Sequence, residues 1–177
     1  MGGMEMLHES GEKQEIQIID SEITFEHVYQ GDNIPLELQT EIKNADVLLL
    51  PYKDVRGTKG YCFPEQTFEF FDYLKKNAKL QDVGVDICIS DEQYKELELH
   101  ADVLNIAQII VTCGVLPIVT GIISCYLYDK LKQRKTELNT NVTITVEQKG
   151  KSKTIHYDGK AECFESAMKS IQEHIFD

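Results

Sequence analysis

The sequence predicts an α+β fold with a small α/β lobe over residues 14–89, a long helix over 90–135 and a C-terminal ββα lobe over 140–177. In the first half, short apolar segments of strand length alternate with segments whose apolar residues recur at helical spacing. Residues 103–128 then form an uncharged stretch of 26 residues, which is longer than an ordinary strand. The last part of the chain combines apolar–polar alternation with one amphipathic segment, a pattern typical of a hairpin and a helix.

The first lobe is expected to follow a disordered tail, because residues 1–13 are polar and acidic. Its strands are predicted at 15–20, 22–29, 46–52 and 83–89. Its helices are predicted at 34–45 and 63–79. The second helix has Pro64 in its first turn and lysines near its end, as helix ends favour. Its predicted inner face consists of Phe68, Phe71 and Leu74.

The long helix is predicted to begin after Ser90, a residue type that favours the N-cap position. Asp91 and Glu92 would complement the helix dipole in the first turn. Only Pro117 interrupts the helical pattern before Lys135. A helix of about 45 residues would be about 65 Å long and would project from the rest of the protein.

The C-terminal lobe is predicted to contain a hairpin over residues 141–160, with Gly150 in its turn. An amphipathic helix over 161–176 follows. Its apolar face consists of Phe164, Ala167, Met168, Ile171 and Ile175. We expect this face to be buried against the apolar side of the hairpin.

The composition argues against several functions. The net charge of -12 would repel the phosphates of nucleic acid. The five cysteines include no C-x-x-C pair, and the five histidines lack the spacing of metal ligands. No nucleophile is paired with a base along the sequence. We therefore predict a non-enzymatic protein without a cofactor or metal, and the absence of a signal-peptide pattern near Met1 favours cytoplasmic domains.

The uncharged stretch 103–128 has the length of a membrane-spanning helix, which needs about 20 apolar residues. Tyr126 and Tyr128 resemble an aromatic belt, and the basic segment 129–135 resembles a cytoplasmic flank. The sequence thus predicts a single-pass membrane protein. Such a flank would place residues 1–102 outside, which conflicts with the missing export signal. The alternative is the core helix of a cytoplasmic protein.

Small residues recur along one side of this stretch, mostly at intervals of three, four or seven positions. The candidate packing residues are Cys113, Gly114, Pro117, Thr120, Gly121 and Ser124. Small side chains allow another backbone to approach a helix closely. We therefore expect a homo-oligomer or a partner protein to contact this face. The alternative is that the glycines face a neighbouring element of the same chain.

A second candidate site is the loop 53–62, which follows a predicted buried strand and precedes a helix. Ligands of α/β proteins often bind at this position. Lys53, Arg56 and Lys59 could bind an anion together with amides of the helix start. The loop matches no phosphate-binding motif, so a solvated loop remains the alternative.

Residues 82–177 are arranged as strand, apolar helix, basic "DKLKQRK", hairpin "NVTITVEQKGKSKTIHYDGK" and amphipathic helix. This order resembles the effector-associated constant component of prokaryotic conflict (antiphage) systems. The resemblance implies a non-enzymatic partner that accompanies variable effectors such as proteases or TIR-type enzymes.

These observations together predict a membrane-associated or oligomeric adaptor of a bacterial defence or signalling system, which acts through helix association. One alternative is a membrane-disrupting effector triggered through the N-terminal lobe. Another is a small anion- or nucleotide-binding domain, or an enzyme, that uses the loop 53–62.

Overall fold

The computed structural model describes residues 4–9, 12–99, 102–134 and 137–177. The fold is α+β, with an eight-stranded mixed sheet and a smaller three-stranded sheet. The strands are β1 Met4–Glu9, β2 Glu12–Ser21, β3 Val47–Leu50, β4 Tyr52–Lys53, β5 Tyr61–Pro64, β6 Val85–Ile87, β7 Glu96–Leu97, β8 Val103–Asn105, β9 Gln108–Thr112, β10 Asn139–Gln148 and β11 Lys151–Lys160. The α-helices are α1 Phe25–Tyr29, α2 Gln39–Asn44, α3 Thr67–Lys79, α4 Leu116–Gln133 and α5 Phe164–Ile171.

The main sheet has the strand order β1-β2-β11-β10-β9-β3-β6, and β8 pairs with the beginning of β10. β9 is parallel to β10, and β3 is parallel to β6. Parallel neighbours need a crossover connection, which α4 and α3 supply for these two pairs. Strands from both predicted lobes therefore belong to one sheet.

The two faces of the main sheet contribute to different hydrophobic clusters because neighbouring residues of a strand point to opposite sides. One face packs against α3, α4 and α5 and includes Val47, Leu49, Ile109 and Val111. The other packs against α1 and α2 and includes Leu48, Leu50 and Ile110. The helix layer of α3 to α5 thus covers only one side of the sheet.

The predicted C-terminal hairpin and helix are confirmed. β10 and β11 pair from Asn139↔Lys160 to Gln148↔Lys151. The turn residues Lys149 and Gly150 have φ angles of 51° and 79°, as a two-residue hairpin turn of type I′ requires. All five residues of the predicted apolar helix face are buried. The ring of Phe164 packs edge-on against Tyr157 of β11, with the ring centroids 5.3 Å apart.

The predicted extent of the long helix is wrong, because α4 begins only at Leu116, after a 3₁₀ turn over Cys113–Val115. The segment before it forms β7, β8 and β9. Ile109, Ile110 and Val111 are β-branched and are buried on alternating faces of the sheet. A continuous apolar run is typical of a strand that is covered on both faces, and β-branched residues favour it.

Two other predictions near the N-terminus are corrected. Residues 25–29 form a helix rather than a strand, since the Thr24 side chain accepts a hydrogen bond from the backbone N–H of His27 at 3.1 Å. The part of the predicted disordered tail that the structure describes is β-strand, as residues 4–9 pair with β2 from Met4↔Gln17 to Glu9↔Glu12. Pairing with a sheet edge supplies backbone hydrogen bonds that a polar composition does not reveal.

The remaining predicted elements of the first lobe are confirmed with shifted ends, except at the start of α3. Pro64 lies in β5, and the helix begins at Thr67. Of the predicted inner face, Leu74 is buried and Phe71 is half-buried, whereas Phe68 is 65% exposed and Phe70 is buried in its place. The basic end of the helix, with Lys76 and Lys79 in its last turn, is as expected.

We predict that Phe164→Ala lowers the free energy of unfolding by about 3 kcal/mol or more, because it removes a fully buried ring and leaves a cavity. Urea denaturation measures this change. Phe68→Ala is the matched control, since the same truncation at an exposed helix position should have little effect. Equal effects of the two changes would mean that α5 is not docked on the hairpin.

Candidate functional site

Helix α4 has one face in the protein core and one face at the surface. Its buried face includes Leu116, Val119, Ile122, Ile123, Tyr126 and Leu127. Its exposed face carries Pro117, Gly121, Cys125 and Tyr128, followed by the polar residues Asp129, Lys132 and Gln133 at its C-terminal end. The exposed face of a helix in a globular protein is usually charged, and here it is small or apolar as far as Tyr128. This outward face of α4 is the main candidate site.

The outward face borders an open groove of about 560 Å³ between α3 and α4. From α3 and its C-terminal end, the groove is lined by Tyr73, Asn77 and Leu80. From α4, it is lined by Ile118, Gly121 and Cys125, among others. Leu80 is 85% exposed, and Glu165 of α5 closes one side. The sequence could not indicate the α3 residues, because their position beside α4 is a tertiary feature.

The glycines of the outward face are not required by packing within the chain. A Cβ atom added at Gly114 or Gly121 would meet no heavy atom within 4 Å. Glycine within a helix costs about 1 kcal/mol relative to alanine. The fold itself therefore gives no reason for glycine at position 121.

The six predicted packing residues do not share one face. Gly114, Pro117 and Gly121 are exposed, and Cys113 is half-buried. Thr120 and Ser124 are buried instead. The Thr120 hydroxyl donates to Oε1 of Gln172 at 2.9 Å, and the Ser124 hydroxyl donates to the Thr120 carbonyl at 2.7 Å. The exposed part of the predicted set is thus Gly114, Pro117 and Gly121.

The segment Cys113–Gln133 is long and apolar enough to cross a membrane by length and composition, and half of its apolar window is buried in the fold. Core helices of soluble proteins have the same properties. Tyr126 packs edge-on against Phe70 and Tyr73, with ring centroids 5.1 and 5.3 Å away. Lys130 of the basic flank forms an ion pair with Glu69 of α3. Residues that resemble a membrane boundary in the sequence therefore make contacts between α3 and α4.

The three cations of the loop 53–62 have different surroundings. Lys53 lies 4.0 Å from Asp32 and 5.4 Å from the ring centroid of Tyr61, whereas Arg56 and Lys59 are exposed. The Tyr61 hydroxyl donates to Asp32, and this hydrogen bond to a carboxylate raises the pKa of Tyr61 to about 12.

The backbone N–H groups that an anion would use already donate hydrogen bonds to carboxylates of the chain. The Asp54 carboxylate accepts the backbone N–H of Gly60 at 2.7 Å. Glu96 of β7 accepts the N–H groups of Gln66 and Phe68 at the start of α3, at 2.7 and 3.1 Å. An external anion would have to compete with these two side chains, and anion binding by this loop stays a prediction.

The described part of the chain contains no group of three or more His, Cys, Asp or Glu side chains that could hold a metal ion. Cys62 and Cys88 are buried. Burial raises the pKa of Cys88 to about 12, so this thiol is protonated at neutral pH.

No family model, curated protein or solved structure matches this chain.

We predict that Gly121→Ala raises the free energy of unfolding by about 1 kcal/mol, because alanine favours the helix and its methyl group meets open space. Chemical denaturation measures the change. Gly31→Ala is the control, since a Cβ there would lie 2.6 Å from Oδ1 of Asn33 and 3.2 Å from the Val28 carbonyl oxygen. A loss of stability in Gly121→Ala at a concentration at which the chain is monomeric would show that the site is packed within the chain.

We also predict that Glu96→Ala lowers the free energy of unfolding by about 1 kcal/mol, because two amides at the start of α3 lose their acceptor. Thermal denaturation at neutral pH measures this loss. The control is Glu98→Ala, which removes an exposed carboxylate from the same segment. If both variants have the melting temperature of the unmodified protein, Glu96 does not cap α3 in solution.

Proposed function

We propose that this chain is a non-enzymatic accessory protein that works by binding a second copy of itself through the outward face of α4. The open apolar groove beside Gly121 carries this proposal. An exposed apolar surface beside a helix face with small side chains allows another helix to approach closely. The exposed Leu80 at the rim and Tyr128 further along α4 would become buried in such a contact.

The charges beside the groove favour a second copy and one orientation of it. Lys76 is exposed on the α3 side, and Glu165 lies on the α5 side. If two copies meet with their α4 helices parallel about a two-fold axis, α3 of each copy lies opposite α5 of the other. Lys76 then faces Glu165 of the second copy. An antiparallel arrangement would place Lys76 opposite Lys76, which is unfavourable.

The existing partners of these two charges do not prevent such an exchange. Lys76 lies 2.8 Å from Asp72, and Glu165 lies 3.1 Å from Lys169. Both are exposed pairs one helical turn apart, and such pairs contribute only about 0.3–0.5 kcal/mol. Contacts across an interface can therefore replace them at low cost.

The biological context of the proposal rests on the resemblance of the sequence to the effector-associated constant component of antiphage systems, and of that order the part α4, β10, β11 and α5 remains while β7, β8 and β9 replace the start of the long helix. In that family the role implied is a non-enzymatic partner of variable effectors. We accordingly place this chain in a bacterial defence or signalling system, as the component that associates rather than reacts. A paired accessory protein would bring two effectors together.

Membrane association is the second candidate function, and the apolar segment Cys113–Gln133 favours it. In this case α4 would insert into a bilayer, as an anchor or as part of a membrane-disrupting assembly. Flotation with liposomes tests whether the chain binds a membrane. Leakage of an enclosed dye distinguishes a membrane-disrupting assembly from an anchor. Flotation without detergent would favour insertion over association in solution.

We predict that the purified chain forms a dimer whose mass depends on concentration, and that Gly121→Leu shifts it to the monomer. A Cβ atom at this position meets no heavy atom of the chain within 4 Å, and the longer leucine side chain would separate the two helices. Size-exclusion chromatography with light scattering measures the mass. Glu26→Leu is the matched control, because it adds the same side chain to an exposed position of α1, on the opposite face of the sheet.

Charge reversal tests the orientation. Lys76→Glu and Glu165→Lys should each weaken the dimer, and the double variant should restore it, because the parallel arrangement places these residues opposite each other. A monomer at every concentration, or a Gly121→Leu dimer of unchanged stability, would contradict the proposal. Failure of the double variant to recover would exclude the parallel arrangement alone.

A further inference from the structure

The face of the main sheet that lies opposite α3 to α5 carries two rows of polar side chains across β2, β11, β10 and β8. The strand registers align the first row through Glu15↔Asp158, Asp158↔Asn141 and Asn141↔Asn105. The second row is aligned through Gln17↔His156 and His156↔Thr143. No helix of the α3 to α5 layer reaches this face, since those helices pack on the other side.

These rows line a depression of about 260 Å³, which Tyr52 borders. Most of its side chains are half-buried, and Asp158 is exposed. β2, β11 and β10 are each paired on both sides, and such strands hold their side chains in defined positions.

The acidic end of the depression has an unfavourable arrangement in the free protein. Glu15 and Asp158 are directly opposite each other on antiparallel strands, and like charges at such positions destabilise a sheet. Among the residues whose side chains the structure describes, which begin at Glu15, no cationic nitrogen lies within 4.0 Å of either carboxylate. A bound cation would relieve this repulsion.

The other end of the depression offers neutral hydrogen-bonding groups. The Asn141 amide donates to Oδ1 of Asn105 at 3.4 Å, a long contact that a ligand could replace. The Thr143 hydroxyl lies 3.1 Å from Nδ1 of His156. Burial lowers the pKa of His156, so its ring is neutral at pH 7 and can accept as well as donate hydrogen bonds.

We propose that this depression binds a small organic cation, namely a primary amine that also carries hydroxyl groups. The amine would lie between Glu15 and Asp158. The hydroxyl groups would contact Asn141, Thr143 and His156. Neighbouring strands are about 4.8 Å apart, so the distance from β2 to β10 is about 10 Å, which suits a ligand of the size of an amino sugar. The site is separate from α4 and does not depend on the proposed dimer.

The test is a titration of the ¹⁵N-labelled full chain with glucosamine, followed through the backbone amide resonances. We expect saturable shifts around Asn141 to Thr143 and His156 to Asp158. Glucose, which has a hydroxyl in place of the amine, should shift these resonances far less.

Two variants test the acidic end. Asp158→Asn should weaken glucosamine binding at least about tenfold, since a charged hydrogen bond is lost. Glu15→Gln should act in the same direction. Asp20→Asn is the matched control, because it removes the same charge from the other face of β2.

Glucosamine that gives no saturable shift, or an equal response to glucose, would overturn the proposal. It would also be overturned if Asp158→Asn and Glu15→Gln, each with a dispersed spectrum, bound as well as Asp20→Asn.

Discussion

The parallel pairing of β9 with β10 is the constraint on which the rest of the structure depends. Two parallel strands cannot be joined by a tight turn, so the chain between them has to cross one face of the sheet. Helix α4 makes that crossing, and its inner face becomes part of the core. β3 pairs with the other edge of β9, and β11 pairs with the other edge of β10. The β9–β10 pairing therefore joins the two halves of the chain in one sheet.

The crossover also gives the protein two surfaces of different chemistry. On the helix side, α3 and α5 flank α4 but leave its outward face open, so an apolar groove remains. On the other side, α1 and α2 cover only the part of the sheet around Leu48 and Ile110. The strands β2, β11 and β10 beyond them present polar side chains. The proposed association and the proposed ligand binding therefore use opposite faces of the sheet.

The sequence predicts those elements whose pattern is local. The turn at Gly150 and the five apolar positions of α5 depend on neighbouring residues alone. The strand over Ile109 to Val111 could not be recognised, because a short apolar run fits a buried strand and a helix equally well and only β3 and β10 decide between them. Tertiary contacts also explain why the predicted packing residues lie on two faces. Contact with the sheet sets the rotation of α4 about its axis, and this rotation exposes Gly121 and buries Thr120. The polar rows of the depression could not be predicted, because their residues come from four separate strands.

The packing of α4 on the main sheet also affects whether α4 could insert into a membrane. A bilayer would bury the apolar side chains of α4 about as well as the core does, so the helix itself would lose little. The sheet would lose its cover, and Ile109, Val111, Ile144 and Val146 belong to the cluster that α4 helps to form. Exposure of each such side chain to water costs about 1.5–3 kcal/mol. That cost would fall on the sheet rather than on the helix, so insertion of α4 into a bilayer would require another cover for this face of the sheet. Association through the outward face avoids the cost, because it uses only the surface that the fold leaves open.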